Sequence, residues 1–251
     1  LQEWRLIVDE GDLYWCMAVD EAMLQLREQG KIPNTLRLYR ILPEGVTIGY
    51  FQRVEDSVNL DYIRANNIPL TRRITGGGSV YHDGSGEITY SVVAGINDVG
   101  GDVLDSYRRI CRGLVYALRY FRVRAEFKPV NDVVVTGRKI SGSAQTRKKN
   151  ALLQHGTFMY ATNLDKLANC LRAPREKLAS HGVSSIRDRV TTLADIIGRR
   201  PRVEEVLEAL KKGFMKALNI RLHPSNYTKE ELYLAEKLIA KYKDGEWVFR
   251  K

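Results

Sequence analysis

Three stretches of the chain gather residue types that do chemistry. In RRITGGGSVYHD, Arg72 and Arg73 stand before Gly76, Gly77 and Gly78, with Ser79, Val80, Tyr81, His82 and Asp83 after them. A glycine run carries a high backbone-entropy cost, so it serves positive φ angles or the close approach of another molecule. The spacing fits neither GxGxxG nor the GxxxxGKS/T phosphate loop, and the residues after Gly78 read as turn and strand, which disfavours a Rossmann or Walker site. Successive backbone N–H groups in a glycine turn still form an anion-binding nest, and the two arginines would add charge. The alternative is a tight hairpin bend, which demands no flanking charge.

The second stretch is NDVVVTGRKISGSAQTR, Asn131 to Arg147. Thr136-Gly137-Arg138 reads as a turn between two strand halves, with Lys139 starting the return strand. An isolated lysine in a hairpin is ordinarily a solvated charge; Lys139 stands out because small residues, Gly142 and Ser143 among them, surround it. The third is LLQHGTFMY, where His155 and Gly156 interrupt an apolar strand. A lone strand histidine is more often a hydrogen-bonded structural residue than a catalyst, and no second ligand stands at metal spacing. Cys16, Cys111 and Cys170 are odd in number and without a CxxC pattern, so neither disulfide framework nor zinc site is supported.

These residues need elements to hold them. Period-two or β-branched runs predict strands at Leu36 to Leu42, Val46 to Gln52, Glu87 to Val93, Asp132 to Gln145 and Ala151 to Ala161. Helical spacing of Val103, Leu104, Tyr107, Ile110, Cys111, Leu114, Val115, Leu118 and Phe121 predicts an amphipathic helix with Cys111 in its core stripe. Further helices are expected over Met17 to Gln29, after Asn163, after Pro201 and from the capping box Thr228 to Glu231. The mixture predicts an α+β protein with a mixed, largely antiparallel β-sheet core flanked by helices. We expect one domain over 1–251, sheet-rich to about 162 and helical over 163–251. Pro174, Gly182 and Gly198 to Arg202 are candidate hinges.

The 251 residues carry a formal charge of +10, and the excess lies beyond residue 125. This favours an anionic partner, although a solvated basic surface is the plain alternative. No apolar run is long enough to span a bilayer, and the N-terminal stretch lacks the charged and apolar halves of a signal peptide, so a cytoplasmic location without membrane contact is expected.

The ordered set RRITGGGSVYHD, NDVVVTGRKISGSAQ and LLQHGTFMY resembles the lipoate-protein ligase family. The motifs run from about Tyr39 to Tyr160, with weaker similarity through Ser184 to Leu193 and onward. The resemblance implies the fold shared with biotin-protein ligases and octanoyltransferases. It implies ATP- and Mg²⁺-dependent activation of lipoic acid to lipoyl-AMP, then transfer to a lysine of acidic lipoyl-domain proteins, such as 2-oxoacid dehydrogenase E2 subunits and glycine cleavage H protein. On that reading Arg73, Gly76, Gly77, Gly78, Ser79, Val80, Tyr81, Asp132 and Lys139 hold ATP or the adenylate, with Asp132 a candidate Mg²⁺ ligand. Lys139, Gly142 and His155 hold lipoate, Lys139 is catalytic, and Val93, Ala144 or the strand around Leu153 line the acyl slot.

An ATP-independent octanoyl or lipoyl transferase is the rival within the fold, working in some relatives through a cysteine thioester. A biotin ligase would need a Gly-Arg-Gly-Arg loop that RRITGGG replaces. A non-enzymatic nucleic-acid-binding protein is the rival from another class, without a recognisable binding motif. Single-chain ligases continue into an accessory domain, so the resemblance also implies a separate accessory subunit, docking on the basic half or on an exposed Trp247.

Overall fold

The computed structural model describes residues 1–172 and 185–250, so Pro174 and Gly182 lie outside the described residues. An eight-stranded sheet forms the centre, and five of its seven strand pairs are antiparallel. Its strands are β1 (Gln2–Gly11), β2 (Thr35–Ile41), β6 (Glu87–Gly95), β7 (Glu126–Lys128), β8 (Asp132–Val135), β9 (Arg138–Arg147), β10 (Ala151–Met159) and β11 (Ile220–Pro224), in the order β11-β1-β2-β6-β10-β9-β8-β7. A second sheet of β3 (Glu44–Ile48), β4 (Leu70–Arg72) and β5 (Val80–Asp83) has the order β4-β3-β5. The α+β architecture with a mostly antiparallel sheet and flanking helices is thus the one the sequence predicts.

The period of two along each strand sorts side chains to the two faces. Leu36, Leu38, Ile88, Tyr90 and Val92 pack with helices α2 (Val103–Tyr120) and α3 (Val203–Leu218). Tyr39, Val93, Leu153 and Ala151 pack with α1 (Leu13–Glu28) and α4 (Lys229–Lys243). Cys111 sits fully buried in the first cluster, on the stripe where the helical spacing puts it. Val93 and Leu153 are fully buried in the second and do not line the cavity beside the glycine loop, whereas Ala144 does, and the strand around Leu153 reaches it through His155, Gly156, Thr157 and Met159.

The capping signals are met in detail. Asn163 accepts from Lys166 N, and Thr228 and Glu231 form the reciprocal box at the start of α4. The β8–β9 turn comprises Thr136 (φ 47°) and Gly137 (φ 78°), the left-handed pair that a two-residue hairpin requires. The expected strand from Val46 ends at Ile48, because Gly49 to Gln52 turn away to meet the glycine loop. The stretch after residue 162 is not wholly helical: β11 returns to pair in parallel with β1.

Candidate active site

The loop joining β4 to β5 is closed by its own arginines. Arg73, 4% exposed, donates from Nε to Thr75 Oγ1 (3.0 Å), from Nη1 to Thr47 Oγ1 (3.2 Å), and from Nη2 to the carbonyls of Gly76 (2.6 Å) and Gly78 (2.7 Å). Burial lowers its pKa to about 10, which leaves it cationic at neutral pH. Arg72, also buried, donates to the carbonyls of Gly49, Tyr50, Gln52, Trp247, Val248 and Arg250, tying the turn after β3 to the C-terminal segment.

The close approach that the glycines permit is backbone against backbone. A Cβ on Gly49 would stand 2.0 Å from the Gly77 carbonyl oxygen, and Gly77 itself has φ +86°. Gly78, Ser79, Val80 and Tyr81 border a cavity of about 380 Å³, whereas Gly76 and Gly77 do not reach its wall.

Lys139 lines the same cavity. Its Nζ lies 2.7 Å from Asp132 Oδ1, and Asp132 Oδ2 lies 3.4 Å from Arg189 Nη2. The trio carries one net positive charge, and Lys128 and Arg172 add to it at the wall. Room for the lysine comes from Gly142, where a Cβ would stand 2.4 Å from Nζ. Asn131 pins the facing strand, donating from Nδ2 to the Ser143 carbonyl (2.7 Å) while its own carbonyl accepts from Ser143 N (2.9 Å). Gly156, opposite Ser143 across the β9–β10 ladder, lets this strand lie close, since its Cβ would stand 2.6 Å from the Gly142 carbonyl oxygen. Met17, Tyr39, Ala144 and Met159 supply apolar wall.

His155 borders the cavity at 5% exposure with both nitrogens engaged, Nε2 to Thr75 Oγ1 (2.7 Å) and Nδ1 to Asp20 Oδ2 (2.8 Å). Burial lowers its pKa against the opposing pull of Asp20. Burial works against ionisation of Asp20 too, but the hydrogen bond from His155 and the charge of Arg37 outweigh it and hold the carboxyl below its usual range. Asp20 also accepts from Tyr39 OH and Ser91 Oγ. His155 is therefore the hydrogen-bonded residue that its strand setting suggests. The sequence reading missed Asp20, Thr47, Thr75 and Arg189. Asp20 alone left a signal, as a carboxylate amid Met17, Val19, Ala22 and Met23 on one helix.

Cys16, Cys111 and Cys170 are fully buried, and burial raises their thiols to about 12, 11 and 11. None of them lines the cavity.

Residues 12–215 match the lipoyl protein ligase A/B catalytic domain. The chain belongs to this family. Among curated proteins, octanoyltransferase LipM of Kyrpidia tusciae is 37% identical and that of Brevibacillus brevis 34% identical, each match covering 100% of both chains. Among solved structures, a bi-partite lipoate protein ligase from Thermoplasma acidophilum superposes with TM-score 0.86 at 34% identity, covering 99% of this chain and 97% of the other. The biotin protein ligase of Aquifex aeolicus shares the fold at TM-score 0.50 and 16% identity, covering 87% of this chain and 71% of its own.

Membership corrects the expected chemistry. The curated full-length relatives are octanoyltransferases, which overturns the ATP-dependent lipoate-protein ligase and its cofactors ATP and Mg²⁺. Arg73, expected on a phosphate, spends its donors on the loop, and Asp132, expected on Mg²⁺, is already paired with two cations. Among the described residues no group of three or more His, Cys, Asp or Glu side chains stands together as a metal site. The nucleotide-binding roles of Gly76, Gly77, Gly78, Ser79, Val80, Tyr81 and Lys139 fall with ATP. The separate accessory subunit has no support from the octanoyltransferase relatives. Trp247 is not an exposed dock, because its Nε1 donates to the Arg72 carbonyl (2.8 Å) and its ring packs edge-on against Tyr50 and Tyr242. Acyl transfer in protein lipoylation is the activity class to which the family belongs. No described helix is long and apolar enough to cross a membrane.

Proposed function

We propose that this chain is an ATP-independent octanoyltransferase, moving an octanoyl group from the thioester of an acyl carrier to a lysine amine of a lipoyl domain, with 1–251 acting as one catalytic unit. The observation that carries the site chemistry is the Lys139 ammonium, set in the cavity by Asp132 and Arg189 over the space left by Gly142. The choice of donor follows from the octanoyltransferase relatives.

The acceptor amine, having shed its ammonium proton, attacks the thioester carbonyl carbon. A C–N bond forms and the carbonyl electron pair moves to oxygen. The C=O bond then re-forms as the C–S bond breaks, and the thiolate leaves as a thiol with the proton that nitrogen gives up. Negative charge develops on the carbonyl oxygen, and a fixed ammonium aimed at it is the device that lowers such a barrier. Lys139 supplies that charge; Arg189 keeps Asp132 from cancelling it. The glycine loop forms one wall, with Gly78 to Tyr81 bordering the bound acyl group, and Gly142 and His155 line the same cavity. An apolar tail gains roughly 0.8 kcal/mol per methylene buried, so an eight-carbon chain draws about 5 kcal/mol from the slot.

The acyl group passes directly from donor sulfur to acceptor nitrogen, because a cysteine nucleophile would have to stand in the site as an accessible thiolate and all three thiols are buried and raised. Incubating the protein with an octanoyl carrier protein and an apo lipoyl domain, with mass spectrometry of the lipoyl domain, tests this reading. A mass increase of one octanoyl group supports it, and an unmodified lipoyl domain contradicts it.

A further inference from the structure

Arg73 stands between two arrays of the same composition. On one side Thr75 Oγ1 meets His155 Nε2 at 2.7 Å, and His155 Nδ1 meets Asp20 at 2.8 Å. On the other Thr47 Oγ1 meets His82 Nε2 at 3.1 Å, and His82 Nδ1 meets Glu87 Oε1 at 2.9 Å. The two arrays arise from different elements, α1 and β10 against β3, β5 and β6, and they converge on the one guanidinium. Thr47, His82 and Glu87 are all at most 5% exposed.

One proton arrangement gives the donors of both arrays an acceptor. A guanidinium only donates, so each threonine oxygen accepts from Arg73 and turns its own O–H outward. Where that O–H is donated to Nε2, the ring nitrogen must bear a lone pair, which places the ring proton on Nδ1, facing a carboxylate. Asp20 and Glu87 thus fix the tautomers, the tautomers fix the threonine hydroxyls, and the hydroxyls fix the plane of Arg73. The remaining contacts of that plane are the carbonyls of Gly76 and Gly78, so the chain of orientation ends in the shape of the glycine loop. Glu87 keeps this place although its Oε2, buried, has no hydrogen-bond partner among the described residues.

We propose that Glu87, His82 and Thr47 are positioning residues for acyl transfer, acting through Arg73 on the glycine loop and matching Asp20, His155 and Thr75 on its other side. This rests on the transferase reading, and the first test does not. In ¹⁵N-detected spectra of the wild-type protein, the neutral rings of His82 and His155 both carry their proton on Nδ1. An Nε2–H tautomer of the neutral ring at His82 overturns the proposal, whatever the protein's activity.

The second test is kinetic. Thr47→Val removes the hydroxyl at nearly constant volume and lowers kcat for octanoyl transfer by about tenfold, with KM for the lipoyl domain little changed; Thr47→Ser, which keeps the hydroxyl, recovers kcat to within about threefold of wild type. Arg73→Lys is the second arm of a cycle, and Thr47→Val in that background adds less than about twofold, because both act through the same plane. Fully additive losses, or a folded Thr47→Val with wild-type kcat, overturn the proposal. If Thr47→Val does not fold, the tautomer measurement still decides it. A wild-type protein with both Nδ1–H tautomers and no transfer would refute the function and leave the array standing.

Discussion

The Nζ of Lys139 occupies the space that a side chain on residue 142 would need, 2.4 Å from the position of a Cβ there. Gly142 is thus the lysine's berth. Gly142→Ala displaces the ammonium from Asp132 and lowers kcat for octanoyl transfer while KM for the lipoyl domain changes little; a folded Gly142→Ala enzyme with wild-type kcat contradicts this relationship.

Removal of the ammonium itself has a larger effect. Lys139→Ala lowers kcat by about 10² or more, the loss typical of an oxyanion donor. Lys139→Arg does not restore it, since a planar fork cannot take the place of a compact ammonium beside Gly142. Steady-state kinetics on the two purified variants check this, and near-normal turnover by Lys139→Ala removes the lysine from the chemistry.

The glycine loop is sensitive at a residue outside the glycine triplet. Gly49→Ala drives a methyl group to 2.0 Å from the Gly77 carbonyl oxygen, so the loop must open. Gly77→Val meets Arg73 Nη2 at 3.1 Å and strains a φ of +86°. Both variants lose transfer activity, with the larger stability loss in Gly49→Ala. Thermal denaturation and turnover measured side by side decide between this and a loop that tolerates bulk.

Stability carries a signature of the buried histidine. His155 has a lowered pKa in the fold, so below its unfolded value of about 6.5 the unfolded chain binds a proton that the folded chain refuses. The contribution is fully present above that pH and is lost as the pH falls toward the folded pKa. Asp20, also lowered, holds its contribution until well below pH 5. Urea unfolding from pH 7.5 to 5 therefore shows a steeper fall for wild type than for His155→Gln. Equal slopes contradict the assignment.

Some of this was open to view in the chain itself. Helix α2 is legible because its apolar positions recur at 3.6-residue spacing, and the β8–β9 hairpin because Thr136-Gly137 interrupts two β-branched runs. Lys139 and Gly142 stand three residues apart, close enough for their shared space to be suspected. The clamp that Arg73 forms was not legible for a physical reason: an arginine that feeds a ligand and one that clamps its own loop look the same in sequence. What separates them is Thr47, 26 residues earlier, meeting Nη1. Donor chemistry was equally hidden, because an ammonium and a glycine wall serve an acyl adenylate and an acyl thioester alike.

The most direct test of direct, ATP-independent transfer is the reaction of octanoyl carrier protein with an apo lipoyl domain in nucleotide-free buffer, with and without replacement of Cys16, Cys111 and Cys170 together by alanine. The expected result is stoichiometric octanoylation of one lipoyl-domain lysine in the absence of ATP, retained by the folded cysteine-free protein, with no acyl-enzyme detected by mass spectrometry. Octanoylation that requires ATP, or that disappears in a folded cysteine-free protein, would contradict it.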